Sequence, residues 1–301
     1  MFPDAPFSEG ASGGTGAAFL KLVRSTRESA LGGAASAGAQ GSDALFSNPA
    51  GLASLVPESP SELSLTYDHL LETSYLGTAA WGRPLGASGA FGADVAYFSQ
   101  GAQTAYNGLG DNVGSFRPYD LAVAAAYARR FEKFSLGGKL KVIRSVLDDV
   151  SGTSAAIDFG GQAESLFLLG DRPVDAGAYL SNFGPPIKLG SVAAPLPLAA
   201  AGGLLWHTTK VVDSSLDLHL PSDQPPYVSL GLEATYRFDR DKRQAALRLG
   251  YDQSHGRELD GMAGLTAGGG LDLGSFRLDY AWVPYGDLGM QNRITLAFRF
   301  Q

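Results

Sequence analysis

The chain has 301 residues, 40 of them glycine, with 12 tyrosines, 16 phenylalanines, 18% charged residues and a formal net charge of −7. The acidic balance argues against a nucleic-acid partner, which would ask for a basic face, and the lack of cysteine excludes a disulfide framework or a cysteine-ligated metal. No run of 18 or more apolar residues occurs, so no transmembrane helix is expected, although alternating strands of a barrel escape a hydropathy window because they average an apolar face with a polar one.

Met1-Phe2-Pro3-Asp4 has neither the basic start nor the apolar core of a secretory signal. The chain is therefore expected to be a mature or engineered form whose signal was removed, in preference to a soluble cytoplasmic protein. Residues 1–61 differ from the rest. Gly-, Ala- and Ser-rich stretches surround one predicted short helix, Ala17 to Leu31, with Phe19, Leu20, Val23 and Leu31 on one side. In Asp43 to Ala53, Asn48 before Pro49 favours a turn or helix start. This stretch reads as a compact non-barrel segment.

From Glu62 onward fourteen strands are predicted, at 62–68, 73–82, 87–98, 118–130, 135–146, 153–163, 173–182, 196–206, 212–219, 227–238, 243–252, 262–273, 275–283 and 291–300. Most come near the roughly 9–11 residues that cross an outer membrane at a tilt. In 227–238, Val228, Leu230, Leu232, Ala234, Tyr236 and Phe238 alternate with Ser229, Gly231, Glu233, Thr235 and Arg237. In 291–300, Ile294, Leu296, Phe298 and Phe300 fall opposite Arg293, Thr295, Ala297 and Arg299. Alternation is poorest in 173–182 and 212–219. Successive side chains of a strand point to opposite faces, so these strands are apolar on one face and polar or small on the other. With almost no helix to cover either face, the pattern predicts an all-β fold: an antiparallel transmembrane β-barrel with lipid outside and a wet interior. With the N-terminal segment placed in the periplasm, links 131–134 and 239–242 and the Gly274 turn fall on that side. The two longest, 99–117 and 183–195, fall outside, as in outer-membrane barrels.

With apolar residues facing out, the inward charges are Lys139, Lys141, Asp158, Glu233, Arg237, Arg248, Asp252, Asp272, Arg277, Asp279 and Arg299. Both signs are present, which predicts ion pairs across strands bracing the barrel and its contents, or lining a pathway. Tyr127, Tyr236, Tyr251, Tyr280 and Trp282 lie near strand ends, where they would serve as interfacial girdles or as ordinary packing aromatics. Nothing points to catalysis or a cofactor. The four histidines, His69, His207, His219 and His255, form no pair at metal-ligand spacing, no G-x-S-x-G elbow occurs, and Ser254-His255 falls on an outer loop without a rigid scaffold.

Several blocks resemble a known family. G-A-A-F-L-K-L (16–22), A-L-G-G-A-A-S-A (30–37) and A-L-F-S-N-P-A-G-L-A (44–53) look like an N-terminal hatch, S-N-F-G-P-P-I (181–187) like the element after a middle strand, and G-L-E-A-T-Y-R-F (231–238), A-L-R-L-G-Y (246–251) and L-D-Y-A-W-V-P-Y-G-D-L-G (278–289) like C-terminal strands. Together they resemble the FadL-like outer-membrane barrels, and more closely their PorV/PorQ branch. The resemblance implies a fourteen-stranded barrel over 62–301 with residues 1–61 folded inside as a plug, an outer-membrane location among lipopolysaccharide or other outer-leaflet lipid, and no catalysis.

Two functions follow from it. The first is a plugged docking barrel for a protein partner or secreted cargo, with contacts from Tyr106, Asn107, Leu109, Phe116 and Tyr119 in or beside loop 99–117. The alternative is a conduit for hydrophobic small molecules, with an apolar pocket near Phe19, Leu20, Val23, Leu45, Phe46, Asn48 and Pro49. Those residues would equally serve as the core of the plug. Pro195 and Pro197 at a strand start are the one hint of a gap in the wall.

Overall fold

The computed structural model describes residues 2–70, 73–239, 243–258 and 262–301. Its strands, in chain order, are β1 (Ser61–His69), β2 (Tyr75–Pro84), β3 (Ala90–Ser99), β4 (Gln103–Tyr106), β5 (Asn112–Phe116), β6 (Tyr119–Phe131), β7 (Phe134–Leu147), β8 (Val150–Leu169), β9 (Arg172–Phe183), β10 (Ile187–Leu189), β11 (Val192–Ala194), β12 (Ala199–Trp206), β13 (Val212–Pro221), β14 (Tyr227–Asp239), β15 (Arg243–Asp252), β16 (Leu265–Asp272), β17 (Phe276–Pro284) and β18 (Met290–Phe300). Two helices, α1 (Thr26–Ala30) and α2 (Gln253–Glu258), and several 3-10 turns complete the described elements.

Fourteen of these strands close an antiparallel barrel, with β1 paired to β18, and the hairpins β4–β5 and β10–β11 stand outside its ladder. Closure leaves no strand edge unpaired, which is the condition for strands to sit in lipid. Both weakly alternating segments belong to the wall, as β9 and β13. In β9 the low contrast has a simple cause. Ala176 and Ala178 face outward while Tyr179 lines the lumen, so neither size nor polarity alternates clearly. Strand β8 runs to Leu169, past the predicted end at 163, and pairs with β9 through two register shifts.

The outer surface is an apolar belt. Leu136, Leu140, Leu232, Leu247 and Leu249 are all at least half exposed, and Leu247 reaches 74%. Such a belt belongs in lipid rather than in water. The long links 100–118 and 184–198, and α2 after β15, share the barrel end remote from the chain termini, and short turns such as 132–133 and 170–171 share the other. The long-link end is therefore the outer one. Residues 240–242 of the predicted link 239–242 lie outside the described residues. At the outer end Tyr67, Tyr75, Tyr97 and Tyr119 form a row across four adjacent strands, with neighbouring rings 5.7–6.2 Å apart. That row is an interfacial girdle that single-strand reading did not pick out.

The predicted helix over 17–31 is mostly absent. A 3-10 turn at Ala18–Lys21 and the five residues of α1 replace it, joined by extended backbone around Leu22 and Ser25. Inside the barrel the segment's polar backbone is satisfied partly by short turns of its own, such as Leu31 N–H to the Glu28 carbonyl (3.0 Å), and partly by groups of the wall and its links. Gly16 N–H donates to the Pro195 carbonyl (2.9 Å), Ala35 and Ser36 N–H to Asp217 Oδ2 (3.1 and 2.8 Å), and Thr266 Oγ1 to the Ala30 carbonyl (3.2 Å). The N-terminal segment touches opposite walls: α1 packs on β15–β18, and the turn Pro49–Ser54 on β6–β8.

Its apolar side chains form two clusters rather than the single pocket expected. Phe19 and Leu20 join Leu76, Ile143, Ile187 and Leu196 toward the outer end, while Leu45, Phe46 and Leu52 pack with Ala80, Ala126 and Ala128 toward the other. Inward glycines make this contact possible. A Cβ on Gly160 would overlap Asn48 Oδ1, and one on Gly250 would overlap the backbone at Gly32.

Candidate functional site

Cavities lie between the N-terminal segment and the wall, one of about 220 Å³ against Gln40, Gln162 and Arg130, and two others follow one another along the lumen. The outer one, about 110 Å³, has carbon walls from Leu20, Leu22, Val23, Phe46 and Pro197 and polar groups from Arg24, Glu28, His219, Asp223 and Asp252. The inner one, about 610 Å³, opens toward the periplasmic turns and is lined by charged residues that include Arg27, Asp43, Glu233, Arg248, Arg277 and Arg299. Glu28 and Ser47 line both. They form the partition between the two.

The partition is built by α1. Ser25 caps it, its Oγ accepting from Glu28 N–H (3.4 Å), and this sets Glu28 facing both cavities. Burial, with Asp217 nearby, outweighs the attraction of Arg24 and Arg293 and pushes the Glu28 carboxyl up to about 8. At neutral pH Glu28 is mainly a neutral acid. Two cations lie near the Phe46 ring, the Arg24 guanidinium 5.6 Å and the Lys139 ammonium 5.7 Å from its centroid.

The inner cavity is held by a charge network that joins the N-terminal segment to the wall. Arg27 donates to Glu233 (2.7 Å), Arg248 to Glu233 (2.5 Å) and to Asp279 (2.6 Å), and Arg277 pairs with Asp279 (2.8 Å) and with Asp43. Arg299 bridges Glu62 and Asp272, each at 2.9 Å. On the opposite wall Lys139 meets Asp94 (2.6 Å) and the Leu45 carbonyl (2.6 Å), and Lys141 meets Asp158 (2.7 Å) and Asn182 Oδ1 (2.6 Å). Buried charges persist only when paired in this way.

Two of the expected lumen charges behave differently. Arg237 is exposed at the periplasmic mouth of the inner cavity. Among the described residues Asp252 makes no cross-strand ion pair with Lys or Arg and instead starts α2, accepting from Ser254 N–H (2.8 Å) and Ser254 Oγ (2.6 Å). This also explains the Ser254-His255 pair. Ser254 donates to Asp252, and the His255 ring lies 4.8 Å from that of Tyr285.

Alternation alone could have identified further charges. Arg293 occupies an inward position and is fully buried against Asp68 (2.5 Å), itself inward on β1. Glu62 and Asp94 follow the same rule. The partners that the N-terminal segment contributes, Arg24, Arg27, Glu28 and Asp43, carry no periodic signal. Asn182 sits in the left-handed region (φ 63°) where β9 sets two residues, Ser181 and Asn182, against Asp158 of β8. Its Nδ2 donates to the Pro197 carbonyl (2.7 Å) and its N–H to Asp158 (2.7 Å), so this bulge forms one wall of the outer pocket.

The expected loop contacts divide. Tyr106 (66% exposed) and Leu109 (89%) stand on the β4–β5 hairpin, where Asn107 holds the turn by accepting from Leu109 and Asp111 N–H, each 2.9 Å. Phe116 is half-buried at its base. Tyr119 belongs to the tyrosine row on β6, not to a loop. The link 183–195 is not a free outer surface either. Its hairpin β10–β11 folds back over the lumen and seats Ile187, fully buried, on Phe19 and Leu20. Of the expected pocket residues, Val23 alone stands outside the two clusters and lines the outer pocket, and Asn48 and Pro49 belong to the turn against β8.

No family model and no curated protein match the chain. Solved structures do. The Ralstonia pickettii toluene transporter TbuX is 14% identical, with 92% of this chain and 98% of that one covered at a TM-score of 0.58. The Pseudomonas putida toluene transporter TodX is 12% identical, with 91% and 96% covered at 0.57. The CymD monoaromatic hydrocarbon channel is 12% identical, with 92% and 97% covered at 0.59. At these identities the likeness shows the fold alone, a closed antiparallel barrel like that of these proteins, and does not single out the PorV/PorQ branch.

Proposed function

We propose that the protein is a passive conduit of the outer membrane for small hydrophobic molecules, with residues 1–61 acting as its plug and without catalysis. The observation that carries this reading is the sequence of two lumen cavities sharing a partition of two side chains, Glu28 and Ser47. A solute seated against Val23, Leu22 and Phe46 faces the periplasmic cavity across α1, a helix of five residues. Displacing this element would break the Arg27–Glu233 pair and the Thr26–Thr295 bond but would leave the strand ladder of the wall intact. The shared fold with two toluene transporters and a monoaromatic hydrocarbon channel supports the conduit over a docking scaffold.

Entry of toluene into asymmetric vesicles with lipopolysaccharide in the outer leaflet tests the conduit. The protein should accelerate entry, and Val23→Trp, which fills the outer pocket, should slow it. Entry no faster than through protein-free vesicles would reject the conduit.

One observation favours a second role. The β4–β5 hairpin exposes Tyr106, Leu109 and Val113, the last at 60%, beyond the outer end of the barrel. Exposed apolar and aromatic side chains of this kind suit a protein partner. A stoichiometric protein recovered with the full chain from native membranes, and lost when residues 103–116 are removed, would establish that role.

A further inference from the structure

His207 is held in a way that only one of its charge states satisfies. It lies in the link 207–211 between β12 and β13, at the periplasmic end of the wall, and its backbone N–H donates to the Pro173 carbonyl of β9 (3.1 Å). Its ring stands between two carboxylates. Nδ1 lies 2.8 Å from Asp213 Oδ1 on β13, and Nε2 lies 3.1 Å from Asp175 Oδ2 on β9. A neutral imidazole has one N–H and one lone pair, so it donates to one of these oxygens and turns a lone pair toward the other. The imidazolium donates to both. Partial burial works against the charge, but the bonds to Asp213 and Asp175 and their negative charge outweigh it, so the ring keeps its proton to higher pH than the ordinary 6.5.

The other charges on the surrounding walls have partners of their own or stand in water. Glu164 of β8 pairs with Arg130 of β6, and Glu233, opposite Asp213 on β14, pairs with Arg27 and Arg248. Lys210 and Arg237 are exposed at the mouth of the inner cavity. The second oxygen of Asp175 accepts from Ser165 N–H (2.7 Å), at the irregularity where β8 pairs with β9. The bridge Asp175–His207–Asp213 thus ties β8 and β9 to the start of β13. Its place gives it a consequence. His207 and Asp175, with Ala39 and Gln40 of the N-terminal segment, line both the inner cavity of about 610 Å³ and the neighbouring cavity of about 220 Å³. The bridge is part of the divide between these two spaces.

We propose that His207 is a pH-operated clamp at the periplasmic end of the lumen: charged, it holds Asp175 and Asp213 together and keeps the two cavities apart; neutral, it keeps the shorter bond to Asp213, lets go of Asp175 and joins them. The clamp is shut in acid and opens as pH rises through the titration of the ring. It does not depend on what passes through the lumen, so it stands or falls separately from the conduit.

Two measurements on the detergent-solubilised full chain test it. The first is a nuclear magnetic resonance titration of the histidines, with the His207 signal identified by its loss in His207→Gln. Its midpoint should lie above the ordinary 6.5 and should fall in both Asp175→Asn and Asp213→Asn. A midpoint at or below 6.5, or one that neither variant moves, would overturn the clamp. The second uses a thiol on the divide. The chain has no cysteine, and Ala39, which lines both cavities, is 6% exposed. Ala39→Cys is labelled with a small neutral thiol reagent from about pH 6 to about pH 9, beside the same thiol in His207→Arg, so that the titration of the thiol itself cancels. Arginine keeps its charge throughout and holds the clamp shut. The ratio of the two rates should rise several-fold over this range, and a constant ratio would overturn the opening. Where His207→Arg does not fold, His207→Gln takes its place as an open reference. The native ring should then slow labelling at about pH 6 and not at about pH 9, and equal rates at both would overturn the inference.

Discussion

Asn48 is fully buried, and its side-chain amide reaches three backbone carbonyls: Ser36 in the N-terminal segment (2.8 Å), Gly161 in β8 (3.0 Å) and Ala178 in β9 (3.4 Å). Its Oδ1 accepts from Ala50 N–H (3.1 Å) and so starts the turn at Pro49. Asn48→Ala should cost about 2–4 kcal/mol, because buried carbonyls lose their donor. Asn48→Asp should cost more, since a carboxylate would turn toward three carbonyl oxygens. Urea unfolding in detergent checks the order, and equal losses would contradict it. The Asn-Pro dipeptide reveals a turn in the sequence, but nothing local reveals the three carbonyls.

Glu28 gives a pH dependence of defined sign. Its carboxyl lies at about 8 in the fold against an ordinary 4.5, so the folded chain holds this proton more tightly than the unfolded one. The associated stability is complete below about pH 4.5 and is lost as pH rises through about 8, amounting to a few kcal/mol at most. Thermal unfolding from pH 5 to 9 should show a fall in midpoint that Glu28→Gln diminishes. An identical fall in both would contradict this reading.

Among elements, the two outer hairpins look alike in the sequence and differ in the fold. Removal of residues 103–116 should leave barrel stability unchanged within about 0.5 kcal/mol, because the exposed side chains of β4–β5 seal nothing in the lumen. Ile187→Ala in β10–β11 should instead cost about 2–4 kcal/mol, as for other fully buried isoleucines. Melting temperatures in detergent separate the two cases. The link lengths were legible, and which link turns inward was not, since Ile187 is buried by Phe19 and Leu20 from the far end of the sequence. The helix expected over 17–31 failed for a related reason. Its apolar spacing was real, but the stretch is tied to the wall by Thr26 to Thr295, Arg27 to Glu233 and the Ala30 carbonyl to Thr266, and short turns between these anchors take the place of a continuous helix.

At the scale of the whole molecule, the N-terminal segment and the barrel are joined by charges from both, through Arg27–Glu233, Arg277–Asp43 and Lys21–Asp223. A chain lacking residues 2–60 should still close its barrel, because the wall ladder runs strand to strand without the segment. It should conduct as a wide pore in planar bilayers where the full chain conducts little, and equal conductance would show that the segment does not block the lumen. The sequence alone determined the wall: strand number, the outward apolar face, the even return of the chain to one side and the long-loop end all follow from a period of two and from local turn chemistry. Only the tertiary structure decided the contents of the lumen. Arg293 and Asp68 lie 225 residues apart, and Arg27 and Glu233 lie 206 apart. A period of two states that a side chain points inward, but closure of the barrel sets what it meets there, and the cavities exist only as the space those meetings leave.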